Sequence, residues 1–155
     1  FTIWHVTEES IVYTLLAFIG LQLQGTLYNY YYVILRNKYN GDTTSRVFEN
    51  TTPIAMDGEK QRNVNILFSI YKILYGAFDK IIYTMDQDAI KSKSLPNWLM
   101  TAVSIFGLGF QLLIIALMLV LNLKDYIIPF FIGFSIFIFI FIGIRKYINR
   151  SENGV

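Results

Sequence analysis

The sequence contains no cysteine and only one histidine among its 155 residues. Without cysteine the chain forms no disulfide, and thiolate catalysis and cysteine-based metal sites are excluded. The single histidine, His5, is too little to build a Ser–His–Asp set or a histidine cluster. We therefore predict no catalytic residue, no metal ligand and no cofactor, and we expect a protein that is not an enzyme.

Charged residues are also scarce, at 15% of the chain, where soluble domains carry roughly 25%. The shortage is concentrated in residues 99–121 and 126–144, which contain no charge and are separated by Lys124 and Asp125. An apolar stretch of this length is what a helix needs to cross about 30 Å of hydrocarbon. The sequence therefore predicts a transmembrane hairpin with helices at about 97–123 and 126–148.

A third apolar segment, residues 11–35, predicts another spanning helix that carries polar side chains on one face. Amide groups at membrane depth usually bond to neighbouring helices, so we expect Gln111 of the second span to bond to Gln22 or Asn29 of the first. The alternative is a face that lines a transport pathway. The predicted interhelical polar contacts are Gln22, Thr26, Asn29, Ser104 and Gln111.

Residues 64–85 alternate between apolar and polar side chains with helical spacing, which predicts an amphipathic helix. Apolar residues fill a wide arc, and four polar residues recur every seventh position on the other side. We expect this helix to lie at the membrane interface; the alternative is a fourth spanning helix in a four-helix transmembrane bundle. The predicted polar face consists of Asn65, Lys72, Asp79 and Asp86.

The distribution of Lys and Arg favours three spans. With three spans, almost all of these residues lie on one side, in the loop at 36–63, the linker at 86–96 and the C-terminal segment, and Lys124 is alone on the other. With four spans, the numbers of Lys and Arg residues on the two sides of the membrane become nearly equal. Because Lys and Arg prefer the cytoplasmic or matrix side, we predict the N-terminus outside and the C-terminus inside.

The length fits a single membrane domain, 1–155, with a solvent-exposed loop at 36–63 and a linker at 86–96. A net charge of +2 gives no reason to expect nucleic acid, and no pair of small residues signals self-dimerisation. Because residue 1 is Phe, we expect that a segment precedes it. A bacterial plasma membrane or a mitochondrial inner membrane is the expected location.

These features favour a small polytopic subunit with a structural or regulatory role in a larger membrane complex, with other membrane subunits and the bilayer as partners. One alternative is a channel or transporter subunit lined by the polar face of the first span together with Gln111. A weaker alternative is a membrane-bound metal-dependent transferase, because Asp86 and Asp88 match the Asp-x-Asp pattern of metal-dependent glycosyltransferases. That pattern is short and occurs often by chance.

Overall fold

A computed structural model describes residues 2–39, 51–92 and 95–153, and these residues form helices and no strand. The middle of the predicted 36–63 loop and two residues of the 86–96 linker lie outside the described residues. The all-helical class predicted from the sequence is confirmed. Two helices, Ile11–Lys38 and Lys124–Ser151, are long and apolar enough to cross a membrane, and a bent pair brings the total to three if it forms one span.

The first long helix begins after a short helix, α1 (Thr2–Thr7), and a backbone reversal at Glu8, which has φ 54°. It is α2 (Ile11–Lys38) and ends three residues later than predicted. Ser10 caps its start, where Oγ accepts a hydrogen bond from the Val12 amide at 3.3 Å. Such a cap satisfies one of the amide groups that have no partner at the start of a helix.

The predicted amphipathic helix consists of two helices, α3 (Gln61–Leu74) and α4 (Gly76–Met85). The backbone stays close to helical at Tyr75, with φ −107° and ψ −38°. Hydrogen bonds from the Tyr75 amide to the Tyr71 carbonyl and from the Asp79 amide to the Tyr75 carbonyl bridge the interruption. The helical spacing of side chains therefore continues with little change across it.

The predicted helix at 97–123 is not continuous. It begins as α5 (Asn97–Val103), tightens into a 3₁₀ turn at Ser104–Phe106, and resumes as α6 (Leu108–Val120) after a bend of 50°. Gly107 lies at the bend with an extended backbone, φ −65° and ψ 145°. Sharp helix kinks are typical of sites with Gly and Ser, because both residues have a lower helix propensity than alanine.

The turn between α6 and the last long apolar segment is tight because α6 ends in a Schellman motif. Asn122 adopts a left-handed conformation with φ 58°. The Leu123 amide donates to the Met118 carbonyl at 2.8 Å, and the Asn122 amide donates to the Leu119 carbonyl at 3.1 Å. This arrangement satisfies the last carbonyls of the helix and reverses the chain.

After a 3₁₀ turn at Lys124–Tyr126, the chain continues through α7 (Ile127–Phe134) and α8 (Ile136–Asn153). Helices α2 and α7–α8 run in the same direction: Ala17 packs with Ile127 and Ile128 at one end, and Leu27 packs in a cluster with Ile142 further along. Among the described residues, the larger hydrophobic cluster contains Phe106, whose ring meets those of Phe134 and Phe141 edge to face. The starts of α2 and α7 therefore lie at one end of the bundle.

Helices α2 and α7 pack closely at Gly20. A Cβ at this position would overlap Ser135 Oγ, whereas a Cβ at Gly25 of the same helix would meet nothing within 4 Å. Gly20 thus permits a close approach, because even an alanine at this position would displace the Ser135 hydroxyl.

We predict that Gly20→Leu lowers the free energy of unfolding by about 1–3 kcal/mol, because the added side chain forces the two helices apart. Thermal unfolding of the detergent-solubilised protein measures the effect. The matched control, Gly25→Leu, should change stability by about 0.5 kcal/mol or less. Equal losses in the two variants would show that the approach at Gly20 is not tight.

Candidate functional site

A buried ion pair joins the end of α4 to α8. Asp86 directly follows α4, and Arg145 lies in α8; their exposed fractions are 0% and 2%. Arg145 Nε donates to Asp86 Oδ2 at 2.9 Å, and Nη2 donates to Oδ1. The guanidinium thus binds the carboxylate through two parallel hydrogen bonds, the geometry that makes such pairs strong and directional.

Two tyrosines of α2 complete the surroundings of the aspartate. Tyr31 donates its hydroxyl hydrogen bond to Asp86 Oδ2 at 2.7 Å. Tyr30 donates to the Asp86 backbone carbonyl at 2.9 Å. Both tyrosines are buried, so α2, the end of α4 and α8 meet at one residue.

A further cation lies next to this cluster. Lys146 Nζ donates to the Met85 carbonyl at 2.8 Å, which is one of the last carbonyls of α4. Positive groups near the C-terminus of a helix are favoured by the helix dipole. The end of α4 is therefore held by two basic residues of α8, one buried and one exposed.

The Asp86–Arg145 ion pair determines how the helices are arranged more than it stabilises the folded protein. Moving two charges out of water costs several kcal/mol per ion, and their attraction roughly offsets this loss. Removing one partner is different, because it leaves a buried charge with no counter-ion. Arg145 Nη1 is buried and has no hydrogen-bond partner among the described residues, so Asp86 is the main compensation for the guanidinium.

The position of Asp86 differs from the predicted interfacial polar face. Asn65 and Lys72 are exposed on α3, and Asp79 is half-buried on α4. Asp86, in contrast, is fully buried. The helix ends at Met85, and the backbone of Asp86 turns to φ −144°, ψ 58°, which removes the residue from the helical repeat on which the prediction depended.

A second polar cluster lies further along the bundle between α2, α6 and the junction of α7 with α8. Gln111 Nε2 donates to Gln24 Oε1 at 3.1 Å, and Gln24 Nε2 donates to Ser135 Oγ at 3.0 Å. The Ser135 hydroxyl donates to the Phe131 carbonyl at 2.8 Å. Each amide thus finds a partner inside the bundle, as polar groups in a membrane require.

The structure brings only one of the predicted interhelical residues, Gln111, into this cluster, and its partner is Gln24 rather than Gln22 or Asn29. Gln22 and Thr26 are half-buried, and Asn29 is exposed. Ser104 is exposed and bonds to the Thr101 carbonyl of its own segment.

Sequence reasoning missed the residues that make most of the buried polar contacts. Neither composition nor spacing distinguishes a buried tyrosine or arginine near the end of an apolar helix from one that lies at the membrane interface. One available signal was the position of Arg145 as the first charge after the long apolar run. The missed residues are Gln24, Tyr30, Tyr31, Ser135 and Arg145.

The contacts of Asp86 also bear on whether Asp86 and Asp88 could bind a metal ion together. Both carboxylate oxygens of Asp86 are engaged by Arg145, and Oδ2 also accepts from Tyr31. Asp88 is exposed two residues later. No group of three or more His, Asp or Glu side chains converges on one point within residues 2–39, 51–92 and 95–151.

Comparison of the chain with protein-family models, with curated proteins and with solved structures gives no match.

We predict that Arg145→Met lowers the free energy of unfolding by about 3–5 kcal/mol, because Asp86 is left buried without a counter-ion. The double variant Asp86→Leu/Arg145→Met should be less destabilised than Arg145→Met alone, because neither charge remains. Detergent-phase unfolding of the single and double variants measures the coupling.

The matched control is Arg150→Met, since Arg150 is exposed on the same helix; its effect should be about 0.5 kcal/mol or less. A double variant as unstable as the sum of its two single variants would rule out a direct coupling between the charges.

Proposed function

We propose that the chain is a small membrane subunit that crosses the bilayer three times, carries one helix on the membrane surface, and has a structural or regulatory role in a larger membrane complex. The observation that carries the proposal is the bent span, which leaves backbone donors exposed on the outside of the bundle. Three further features support it: the arrangement of the helix ends, the exposure of α3, and the charge at each end of the bundle.

The helix ends support three spans. The C-terminal parts of α2, α4 and α8 meet at Asp86, which supports an arrangement in which all three end on the same side of the bilayer. If the segment 61–85 crossed as a fourth span, α2 and α8 would end on opposite sides. The Asp86 contacts within one chain therefore favour three spans over the four-helix alternative.

The exposure of α3 supports a surface position. Its only buried residue is Phe68, and its main neighbour among the described elements is α4. Lys72 is exposed, and a lysine at the centre of a bilayer costs about 2.5–3.5 kcal/mol even on the most favourable scale. At the interface the same lysine stays in water while the apolar face enters the headgroup region.

The charge at each end of the bundle supports an orientation with the C-terminus on the cytoplasmic or matrix side. At the end that contains Asp86, basic residues outnumber acidic ones; at the other end, Lys124 is accompanied by Glu8, Glu9 and Asp125. Lys and Arg near spanning helices favour the inner side. A bacterial plasma membrane or a mitochondrial inner membrane is the proposed location. The basic residues at the Asp86 end are Arg36, Lys38, Lys60, Arg62, Lys72, Lys80, Lys91, Arg145, Lys146 and Arg150.

The bent span supports a partner in the membrane. The Leu108 and Gly109 amides begin α6 and have no hydrogen-bond partner within the part of the chain that the structure describes. Both residues are exposed, and α5 with its 3₁₀ turn places them roughly 15 Å from Asn97 along the span. Lipid tails offer no acceptor to such groups, so another protein segment is the natural cover.

The alternatives receive less support. Of the four residues expected to line a transport pathway, only Gln111 lies in the polar cluster inside the bundle, where its amide donates to Gln24, and Asn29 is exposed. The transferase would need both Asp86 and Asp88, but Asp86 already binds Arg145. A structural or regulatory role, without an enzymatic activity, remains our proposal.

The topology is tested with single cysteines, for which a chain without natural cysteine is well suited. We expect Met56→Cys and Lys91→Cys to react with a membrane-impermeant maleimide from the same side, and Asp125→Cys from the opposite side. All three positions are exposed. Labelling of positions 56 and 91 from opposite sides would refute three spans.

The complex is tested by native electrophoresis of mildly solubilised membranes. We expect the chain to migrate well above its own mass of 18.0 kDa, and we expect Gly109→Leu to shift it toward the monomer, because the added side chain blocks access to the exposed amides. The matched control is Gly133→Leu on α7, which is also exposed and open. Migration as a free monomer without any substitution would refute the subunit proposal.

A further inference from the structure

A shallow apolar groove of about 500 Å³ lies along the outer side of α4. Its apolar lining comes from Ala77, Ile81 and Met85, which are spaced four residues apart on one helix face. Thr84 also lines it, but its hydroxyl already donates to the Lys80 carbonyl of the same helix at 2.7 Å. The groove therefore suits a hydrocarbon chain.

One ammonium group lines this groove, and a second contacts the backbone of one of the lining residues. Lys80 lines it directly and is exposed, and it has no ion-pair partner among the described residues. Lys146 reaches its Met85 end, where Nζ donates to the Met85 carbonyl. An ammonium group has three donors, so that single hydrogen bond leaves Lys146 capacity for an anion.

The groove continues the exposed apolar face of α3. It therefore lies on the part of the chain that the proposed function places at the membrane surface, at the end of the bundle rich in basic residues. Basic residues at a membrane surface attract anionic lipids. The residues of the α3 face are Ile66, Leu67, Ile70, Ile73 and Leu74, all more than 45% exposed.

We propose that this groove binds an anionic phospholipid. One acyl chain lies along Ala77, Ile81 and Met85, and the phosphate is bound by Lys80 and Lys146. The inference rests on the surface position of α3 and α4 in the proposed function. A phospholipid fits better than a peptide because the groove is shallow and apolar, its charge is confined to lysine ammonium groups, and the adjoining apolar face already lies against lipid.

The test is a lipid titration of the purified full chain in neutral detergent, followed by native mass spectrometry. Phosphatidylglycerol and phosphatidylcholine with the same acyl chains are compared. We expect phosphatidylglycerol to bind about tenfold more tightly or better, since each lysine near the lipid surface adds about 1 kcal/mol. Lys80→Gln and Lys146→Gln should each weaken its binding about fivefold.

A variant that fills the groove distinguishes a specific lipid site from general electrostatic attraction between lipid and protein surface. Ala77→Trp keeps every charge but fills the groove, and it should weaken phosphatidylglycerol binding about fivefold through the loss of one or two methylene contacts. Lys72→Gln, on α3 outside the groove, and Lys124→Gln, at the other end of the bundle, are the matched controls and should leave binding unchanged. Ala77 and Lys80 are exposed, so these variants retain the fold even if Lys146→Gln does not.

Equal binding of the two lipids would overturn the inference. So would a loss with Lys72→Gln equal to that with Lys80→Gln, together with no effect of Ala77→Trp, because this pattern describes general surface charge. The titration uses the isolated chain. It can thus fail while the native complex and the cysteine topology stand, and in that case only the lipid site is wrong.

Discussion

The buried pair of Asp86 and Arg145 constrains the rest of the chain. Neither charge can leave water alone, because a buried ion without a counter-ion costs several kcal/mol. The pair therefore forms only when α4 ends next to α8, and Tyr31 adds α2 to the same point. Three elements far apart in the sequence are fixed at one end of the bundle by this requirement. The relative directions of α2 and α8, and with them the number of crossings we propose, follow from it.

The other buried polar groups also need partners inside the bundle, although an unpaired amide or hydroxyl costs less free energy than an unpaired charge. Gln24, Gln111 and Ser135 satisfy one another inside the bundle, and Gly20 lets α2 come close enough to the Ser135 hydroxyl for this to happen. The exposed surface of the long helices is almost entirely apolar, for example Leu112, Leu117 and Phe139. Polar groups inside and apolar groups outside are what a bilayer demands, because lipid cannot replace lost hydrogen bonds. The backbone amides at the bend before α6 are an exception, and our proposal of a partner in the membrane depends on them.

The features that depend on local composition could be predicted from the sequence, whereas those that depend on contacts between distant residues could not. Uncharged runs are sufficient to identify long apolar helices, because crossing hydrocarbon depends on length and polarity alone. The bend at Gly107 was missed, since an isolated glycine in an apolar run is compatible with a straight helix. Gln22 was chosen where Gln24 makes the contact, because residues two apart lie on different helix faces and only packing decides which face is inside. Asp86 was assigned to a continuous polar face, and only the end of α4 at Met85 removes it from that face.

Because Arg145 is the buried cation, the rotation of α8 about its own axis is also fixed. Lys146 is the next residue and lies about 100° around the helix, where it is exposed and binds the Met85 carbonyl. If α8 rotated by one residue, Lys146 would face Asp86 instead. A lysine ammonium is a compact charge that cannot bind both carboxylate oxygens through parallel hydrogen bonds as a guanidinium does, and its stronger hydration makes burial harder. The arginine therefore belongs inside and the lysine outside, and exchanging the two would weaken both contacts.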